Sequence, residues 1–397
     1  MYRKTYVEVN LDNIENNVQN ILNKYNTYKY YFGVVKGSAY GHGAYIINSL
    51  ISKGINYLAV SNLDEALEVR SYNHDIPILC LEPIDINFLN ICSENNITIT
   101  ISSIDYVNKM KNLDIKLKIH LKIDSGMNRL GFDDSKLLKL AFDSLQKNNN
   151  FYIEGIYTHM GTLGISDPYW DKQLEAFKNI TQSINLKNIP IIHIDRSVTM
   201  MCHPKIDLCN GVRIGISLYG YNQLPPKKND FISKLREIKA NLRIKHYKIS
   251  KTNVECDINL QPALSLFSEV IEIKKVHKNE FVGYFGYINK EGDILVATIN
   301  IGYADGIDLR ASGNFVAING KKYKIIDSIN MGMISVIVDE NVKVGDKVEI
   351  IGKNISIRDV SNHIHTTIYE TMTSISPLLP RVYIKNNEVI KIVERTM

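Results

Sequence analysis

Eight short runs of β-branched and aromatic residues recur through the first 220 residues of the chain, and stretches with a helical pattern lie between most of them. The runs cover residues 30–36, 57–60, 76–81, 97–101, 117–123, 153–159, 190–194 and 212–216. Residues 63–70 and 136–142 are examples of the helical stretches. Strand and helix that alternate eight times predict a (β/α)8 barrel, which is a closed parallel sheet ringed by helices.

From residue 261 onward the pattern changes to strand-like runs separated by turns, at 281–287, 293–303, 315–318 and 334–338. We therefore predict an α/β chain with an N-terminal barrel and a C-terminal all-β domain, because 397 residues are too many for one core. The predicted boundaries are 1–225 for the barrel, 226–260 for a basic linker or insertion, and 261–397 for the β domain. The short strand-like run 5–10 belongs either to the barrel or to the β domain.

The linker is rich in basic residues, a pattern that is usually a solvated helix face. A net charge of +5 is slight for this length, so no nucleic-acid partner is expected. The five cysteines are scattered and form no C-x-x-C pair, which indicates neither a disulfide frame nor a metal site. No apolar run approaches 20 residues and no leader pattern opens the chain, so we expect a soluble cytoplasmic protein without a membrane partner. The basic residues are Lys234, Arg236, Lys239, Arg243, Lys245 and Lys248.

Lys36 ends the first strand-like run and opens a turn that contains three glycines. A lysine at the end of a strand is most often simply solvated. If apolar neighbours enclose the amine, however, its pKa falls and it can react with an aldehyde cofactor. Taken alone, Lys36 is better explained as a solvated lysine. The sequence of the turn that follows favours a lysine that binds a cofactor instead.

Residues 35–43 read Val-Lys-Gly-Ser-Ala-Tyr-Gly-His-Gly, and this run resembles the pyridoxal-phosphate lysine signature of the alanine racemase family. Residues 301–306, Ile-Gly-Tyr-Ala-Asp-Gly, resemble the segment that carries the second catalytic base of that family. The resemblance spans nearly the whole chain apart from the basic segment. It implies a fold-type III amino-acid racemase with pyridoxal 5′-phosphate as cofactor, a small amino acid as substrate, and Lys36 and Tyr303 as the two bases.

The barrel rule brings further candidates to the same place, since a barrel enzyme has its active site at the carboxyl ends of its strands. His159 ends the sixth run, Ser197 follows the seventh, and Arg213 and Gly215 lie in the eighth. Ser197 and Gly215 are expected to contact the cofactor phosphate. An arginine in a buried strand has few structural explanations, because an unpaired buried guanidinium is costly.

The resemblance assigns the remaining roles. It places Arg213 against the pyridine nitrogen of the cofactor, and Arg129 near the cofactor phenolic oxygen and the substrate carboxylate. Lys122, which is often carbamylated in relatives, holds Arg129. The backbone N–H of Met331 meets the substrate carboxylate. The other implied cofactor contacts are Tyr40, Ile216 and Tyr369. The family also forms homodimers with shared active sites, in which Tyr303 and Met331 serve the partner's Lys36.

The chain departs from the family pattern mainly in the corridor that leads to the active site. Relatives usually have Arg-x-Cys-Met-Asp-Gln where this chain has Ser-Ile-Asn-Met-Gly-Met at 328–333, and an acidic residue where it has Gly164. When the basic and the acidic corridor residues are lost together, no charge is left without its partner. The sequence therefore predicts a rebuilt corridor and a broadened substrate range. Arg196 stands where relatives commonly have asparagine.

These features predict an alanine racemase activity, with a serine or broad-specificity amino-acid racemase as an alternative. Two further classes stay open. A non-catalytic protein that binds pyridoxal phosphate would not need the β domain or Tyr303. A related decarboxylase would carry a glycine-triplet phosphate loop and a cysteine–acid signature in the β half, and the sequence has neither.

Overall fold

The computed structural model describes residues 3–161, 169–222, 258–284, 287–290, 292–326 and 328–394, together with residues 235, 238, 239, 242 and 245. The chain divides into two compact units. The sheet unit consists of Met1–Asn13, Gly37–Ile46 and Pro262–Met397, and the barrel unit consists of Ile14–Lys36 and Ile47–Gln261. The division falls directly after Lys36, so the turn that follows this lysine belongs to the sheet unit.

The barrel unit contains eight parallel strands that close into a barrel, which confirms the predicted fold. Several strands are buried along their whole length, as expected for runs of β-branched residues covered on both faces. The strands are β2 (Tyr30–Val34), β3 (Tyr57–Val60), β4 (Ile78–Cys80), β5 (Ile97–Ile101), β6 (Leu117–Lys122), β7 (Phe151–Tyr157), β8 (Ile191–Arg196) and β9 (Gly211–Ile214).

Helices alternate with these strands, and each amphipathic helix buries one stripe of residues. The helix Ser135–Gln146 begins after Asp134, whose side chain accepts the N–H groups of Lys136 and Leu137, and it buries Leu138, Ala141, Phe142 and Leu145. The α-helices up to residue 202 are Leu11–Lys24, Ile47–Ser52, Leu63–Tyr72, Leu89–Glu94, Ile104–Met110, Ser135–Gln146, Tyr169–Thr181 and Ser197–Cys202, and the 3-10 turns are Ala44–Ile46, Ile86–Phe88, Leu186–Asn188 and Ile216–Tyr219.

The sheet unit is built on nine strands in the order β13-β16-β15-β14-β17-β10-β1-β18-β19. They are β1 (Tyr6–Asn10), β10 (Leu264–Val276), β13 (Ile294–Ile299), β14 (Phe315–Ile318), β15 (Lys321–Ile326), β16 (Ile334–Val338), β17 (Lys347–Ile351), β18 (Arg381–Lys385) and β19 (Glu388–Val393). Strand β1 lies between β10 and β18, so the run near the N terminus belongs to this sheet.

The predicted β domain is confirmed, with additions that the sequence pattern did not show. Strands β11 (Phe281–Val282) and β12 (Tyr287–Ile288) form a separate two-stranded sheet, where one continuous run was predicted. The unit also contains the short helices Ile357–His363 and Ile368–Thr373. The run 293–303 was predicted as one strand, but β13 ends at Ile299 and the 3-10 turns Tyr303–Asp305 and Leu309–Ala311 follow it.

The turn after Lys36 is left-handed. Residues 37–41 have positive φ in succession, and three of them are not glycine: Ser38, Ala39 and Tyr40. Each such residue costs about 1–2 kcal/mol, so the turn needs support from elsewhere in the sheet unit. Arg381 donates to the carbonyl of Gly41 through two nitrogens, each at 3.2 Å.

The prediction for the basic segment falls mostly on residues outside those described. Leu235, Ile238, Lys239, Leu242 and Lys245 are helical and exposed. Among all the residues that the structure describes, no helix is long and apolar enough to cross a membrane. The cysteines Cys80, Cys92, Cys202 and Cys209 are buried free thiols.

Candidate active site

Lys36 lies two residues beyond the carboxyl end of β2, at the barrel mouth where catalytic residues are expected. Strand β2 pairs in parallel with β9, and Gly33 lies opposite Ile214. The ends of these two strands therefore bring Lys36 and Gly215 to the same mouth. The side chain of Lys36 is exposed, so apolar residues of the described chain do not enclose its amine.

The two predicted phosphate contacts are hydrogen-bonded to each other. Ser197 is the first residue of its helix and is buried, and its Oγ accepts the N–H of Gly215 at 3.0 Å. Ile216, also buried, begins the 3-10 turn that follows. A hydroxyl and a helix start together form a place that suits a phosphate group.

Arg213 is buried within β9, and its two terminal nitrogens are saturated by the barrel. One of them donates to Nδ1 and to the carbonyl of His193 at 2.7 and 2.6 Å. The other donates to the carbonyls of Thr158 and Ile194 at 2.6 and 3.2 Å. None of these bonds uses Nε, the donor that the predicted contact with the cofactor ring nitrogen would need. Burial lowers the pKa of Arg213 to about 10, so the group stays charged at neutral pH.

Lys122, at the end of β6, is buried and lies near two arginines. Its Nζ lies 4.6 Å from the centre of the Tyr157 ring. Burial, and then the charges of Arg213 and Arg129, lower the pKa of Lys122 well below its usual value. The side chain of Arg129 is exposed, and its backbone N–H donates to Asp124 at 2.7 Å. Burial and the two neighbouring arginines therefore disfavour the ammonium form of Lys122.

His159 follows β7 in the same cationic surroundings. Burial lowers its pKa well below the usual value, and the charges of Arg213, Lys122 and Arg196 lower it further. The imidazole is therefore uncharged at neutral pH.

Tyr303 and Met331 lie together in the sheet unit, as two residues with a common role should. The backbone N–H of Tyr303 donates to the carbonyl of Asn330 at 2.9 Å, and that of Ala304 to the carbonyl of Met331 at 3.0 Å. A Cβ at Gly302 would overlap both of these carbonyls, so the close approach requires glycine. The side chains of Tyr303 and Met331 are 45% and 63% exposed.

Tyr40 and Tyr369 form the third group of predicted residues. Tyr40 is buried in the left-handed turn, and its ring centre lies 5.9 Å from that of Tyr369. Tyr369 lies in the first turn of the helix Ile368–Thr373. The structure thus places two pairs of predicted residues in the sheet unit, Tyr303 with Met331 and Tyr40 with Tyr369. The other predicted residues lie in the barrel unit.

Residues that the sequence did not single out support each group. Asp305 accepts two hydrogen bonds from Arg3, at 2.7 and 2.6 Å, and one from the N–H of Gly302, so it braces the Tyr303 turn. His120 and His193 lie buried inside the barrel. Polar residues within otherwise apolar strand runs are the signal that could have revealed these histidines.

The positions that depart from the family pattern are only partly described. Gly164 lies outside the described residues. A Cβ at Gly332 meets nothing within 4 Å, so this position has open space around it. The side chain of Arg196 donates through Nε to the carbonyl of Met160 at 3.0 Å.

Comparisons with known proteins agree along almost the whole chain. Residues 9–223 match the family model described as alanine racemase, N-terminal domain, and residues 263–383 match alanine racemase, C-terminal domain. The chain is 32% identical over 394 residues to an alanine racemase of Streptococcus suis, covering 96% of this chain and 98% of that protein.

Solved structures give the same result. The crystal structure of alanine racemase from Bacillus anthracis with bound L-Ala-P is similar with a TM-score of 0.87 and 32% identity, over 99% of this chain and 98% of the other. An alanine racemase of Clostridium difficile 630 gives 0.86 and 30%, over 99% of both chains. A histidine racemase from Leuconostoc mesenteroides is 24% identical with a TM-score of 0.82, over 97% of this chain and 99% of the other, which shows the shared fold.

Proposed function

The chain belongs to the alanine racemase family, and we propose that it interconverts L- and D-alanine with pyridoxal 5′-phosphate as cofactor. The observation that carries the proposal is the set of groups at one barrel mouth. Lys36 provides an accessible amine, Ser197 and Gly215 suit a phosphate, and Arg213 keeps one donor unused by the barrel. This donor set fits an anionic pyridine aldehyde.

When bound, the cofactor supplies a ring that delocalises the negative charge formed at the substrate α-carbon. Lys36 Nζ takes the α-proton from one enantiomer, and the phenol of Tyr303 supplies a proton to the opposite face. The reverse reaction exchanges these roles. A phenol of ordinary pKa is a poor base, so it needs a cation nearby. Of the two basic side chains His159 and Arg213, only Arg213 is charged at neutral pH, so we propose Arg213 for that role.

The charge of Arg213 also favours racemisation over side reactions. An arginine does not give up its proton, so a ring nitrogen facing it gains no full positive charge. The bound ring would then give weaker stabilisation to negative charge at the α-carbon, which would favour prompt reprotonation by Lys36 or Tyr303. Transamination, which needs a long-lived anion, becomes less frequent.

We propose that Lys122 carries a carbamate. Burial and the nearby arginines disfavour its ammonium form, and the lone pair of the uncharged amine can attack the carbon of CO2 and release one proton, which gives N-carboxylysine. The product is an anion beside Arg129 and Arg213, where an ammonium would be repelled. With 13C-labelled bicarbonate, a carbamate carbon signal should appear in the wild type and disappear in Lys122→Ala. A wild type without the signal would contradict the assignment.

We propose that the substrate range extends beyond alanine, because Ser328 and Gly332 replace charged corridor residues and Gly332 borders open space. At least one bulkier amino acid should be turned over above background, while Tyr369 limits the depth of the pocket. Gly332→Asp should narrow the range. A panel in which alanine alone reacts would count against this proposal.

Assay of the purified protein with each single L-amino acid tests the function. Loss of optical rotation without CO2 release indicates a racemase, whereas CO2 release indicates a decarboxylase. Borohydride reduction and peptide mapping should place the pyridoxyl mass on Lys36. A yellow protein that changes no amino acid would be a non-catalytic cofactor-binding protein, and a label on another lysine would remove the basis of the proposal.

A further inference from the structure

Four buried or half-buried side chains form a hydrogen-bonded chain through the barrel interior, starting at Arg213. An Arg213 nitrogen lies 2.7 Å from Nδ1 of His193, and Nε2 of His193 lies 2.8 Å from Nδ1 of His120. Nε2 of His120 lies 3.3 Å from Oε2 of Glu154. The chain thus joins the group expected at the cofactor to a carboxylate on β7.

The chemistry of the two ends fixes the direction of every bond. A guanidinium only donates and a carboxylate only accepts. Burial lowers the pKa of both His120 and His193, so each imidazole carries a single N–H. Nδ1 of His193 accepts from Arg213, so the proton of His193 is on Nε2, and the same reasoning puts the proton of His120 on Nε2. Each donor therefore points from Arg213 towards Glu154.

The barrel is shaped to hold both rings. A Cβ at Gly155, which lies opposite His120 across the strand pair, would come within 2.5 Å of the His120 ring. The imidazole of His193 stacks on Phe32 and on Tyr157, with ring centres 4.5 and 4.6 Å apart. The missing side chain at Gly155 and the stacked rings leave the imidazoles little rotational freedom.

Glu154 is the middle residue of β7, and its carboxylate lies near the amino ends of β3 and β5, away from the catalytic mouth. Its Oε2 accepts from Tyr57 Oη at 2.7 Å and from Thr98 Oγ1 at 3.3 Å, in addition to His120. Burial alone raises the pKa of this carboxyl, but the hydrogen bonds from His120 and Tyr57 outweigh burial and leave the pKa lowered. The side chain is 14% exposed and borders a cavity of about 300 Å³ between the strand starts.

We propose that Glu154 is a positioning residue for Arg213, and that it acts across the barrel by fixing the tautomers of His120 and His193. With both Nε2 atoms protonated, Nδ1 of His193 presents a lone pair to Arg213 and holds the guanidinium plane. The orientation of Arg213 Nε therefore depends on the hydrogen bond between Glu154 and His120, on the far side of the barrel. The inference depends on the proposed function only for the identity of what Arg213 binds.

Histidine side-chain 15N NMR of the full-length protein with pyridoxal phosphate tests the tautomers directly. Resonances can be assigned with His120→Asn and His193→Asn variants. Both residues should be neutral and protonated on Nε2. A proton on Nδ1 of either ring, or a doubly protonated ring, would overturn the proposal.

The Glu154→Gln variant tests the consequence for Arg213. An amide both donates and accepts, so the bond direction is no longer forced and a second tautomer of His120 should appear. By analogy with supporting residues around other sites, kcat should fall about tenfold with little change in KM. Thr98→Val is the matched control, because it removes a hydrogen bond to the same carboxylate but leaves the chain intact. Unchanged tautomers and unchanged kcat in Glu154→Gln would contradict the role.

The outcomes separate this inference from the proposed function. If no amino acid is racemised but both imidazoles carry the proton on Nε2, the proposed function fails and the assignment of the chain stands. If racemisation occurs but either tautomer is the other one, this inference alone fails.

Discussion

In the barrel, Arg213 lies buried and its terminal nitrogens donate four hydrogen bonds, whereas in the sheet unit the phenol of Tyr303 is nearly half exposed. Lys36 resembles Tyr303 in this respect, since its side chain is also exposed. The barrel therefore holds the guanidinium of Arg213 in place by itself, before any ligand binds. The two proposed bases differ in this respect, and we propose that the cofactor and a partner subunit complete their surroundings.

The comparison predicts that the exposed bases contribute to activity and little to stability. Lys36→Ala should lower racemisation in both directions by at least about 10³-fold, the range of general acid–base catalysis. Its free energy of unfolding should stay within about 0.5 kcal/mol of wild type, because an exposed side chain is lost. Chiral assays and urea denaturation measure the two quantities, and substantial residual racemisation would show that Lys36 is not a base.

The buried Arg213 should contribute much more to stability than the exposed bases do. Arg213→Ala leaves His193 Nδ1 and several carbonyls without this donor, so the free energy of unfolding should fall by about 1–3 kcal/mol for each buried acceptor that stays unsatisfied. Arg129→Ala is the control, because that side chain is exposed and its loss should change stability by less than about 0.5 kcal/mol. Equal stability of the two variants would remove the distinction between the buried and the exposed groups.

Two glycines of the sheet unit make a sharper pair. Gly43 has a φ of 84°, and a Cβ there would overlap Tyr383 Oη. Gly43→Ala should therefore lose about 1–2 kcal/mol from the backbone and a further 1–3 kcal/mol, roughly, from the overlap. Gly332→Ala meets open space and should be close to neutral. Thermal unfolding of both variants tests whether the left-handed turn is as constrained as the structure indicates.

The turn also predicts a pH dependence. His42 is fully buried, and burial lowers its pKa to about 4. Between its ordinary value and 4 the unfolded chain binds more protons, so the free energy of unfolding falls as the pH falls through that window. His42→Asn should reduce the slope by up to about one proton. An unchanged slope would mean that His42 is charged in the folded protein.

The sequence predicted the fold well because hydrophobic periodicity is a local property. All eight barrel strands lie at or within a few residues of the predicted runs. Long-range contacts were not visible in the same way. The chain from Arg213 to Glu154 joins residues from four strands. The left-handed turn that contains Ser38, Ala39 and Tyr40 is hydrogen-bonded by Arg381, more than 300 positions away.

The distinction between local patterns and long-range contacts also explains which features of the candidate site could be predicted. Motifs identified Lys36 and Tyr303, and strand order brought the barrel candidates to one mouth. The pKa shifts could not be predicted, since the lowered pKa values of His159 and Lys122 arise from burial and from cations elsewhere in the barrel unit.

The central claim is that Lys36 of one subunit and Tyr303 of the partner subunit form one active site. Lys36→Ala and Tyr303→Phe chains, each inactive alone, can be co-expressed with different tags, and the mixed dimer isolated through both tags. In a two-fold dimer one site then holds both wild-type bases and the other holds neither, so about half of the wild-type activity should return. Activity no higher than that of the separate mutants would contradict the claim, because every site would then lack one base.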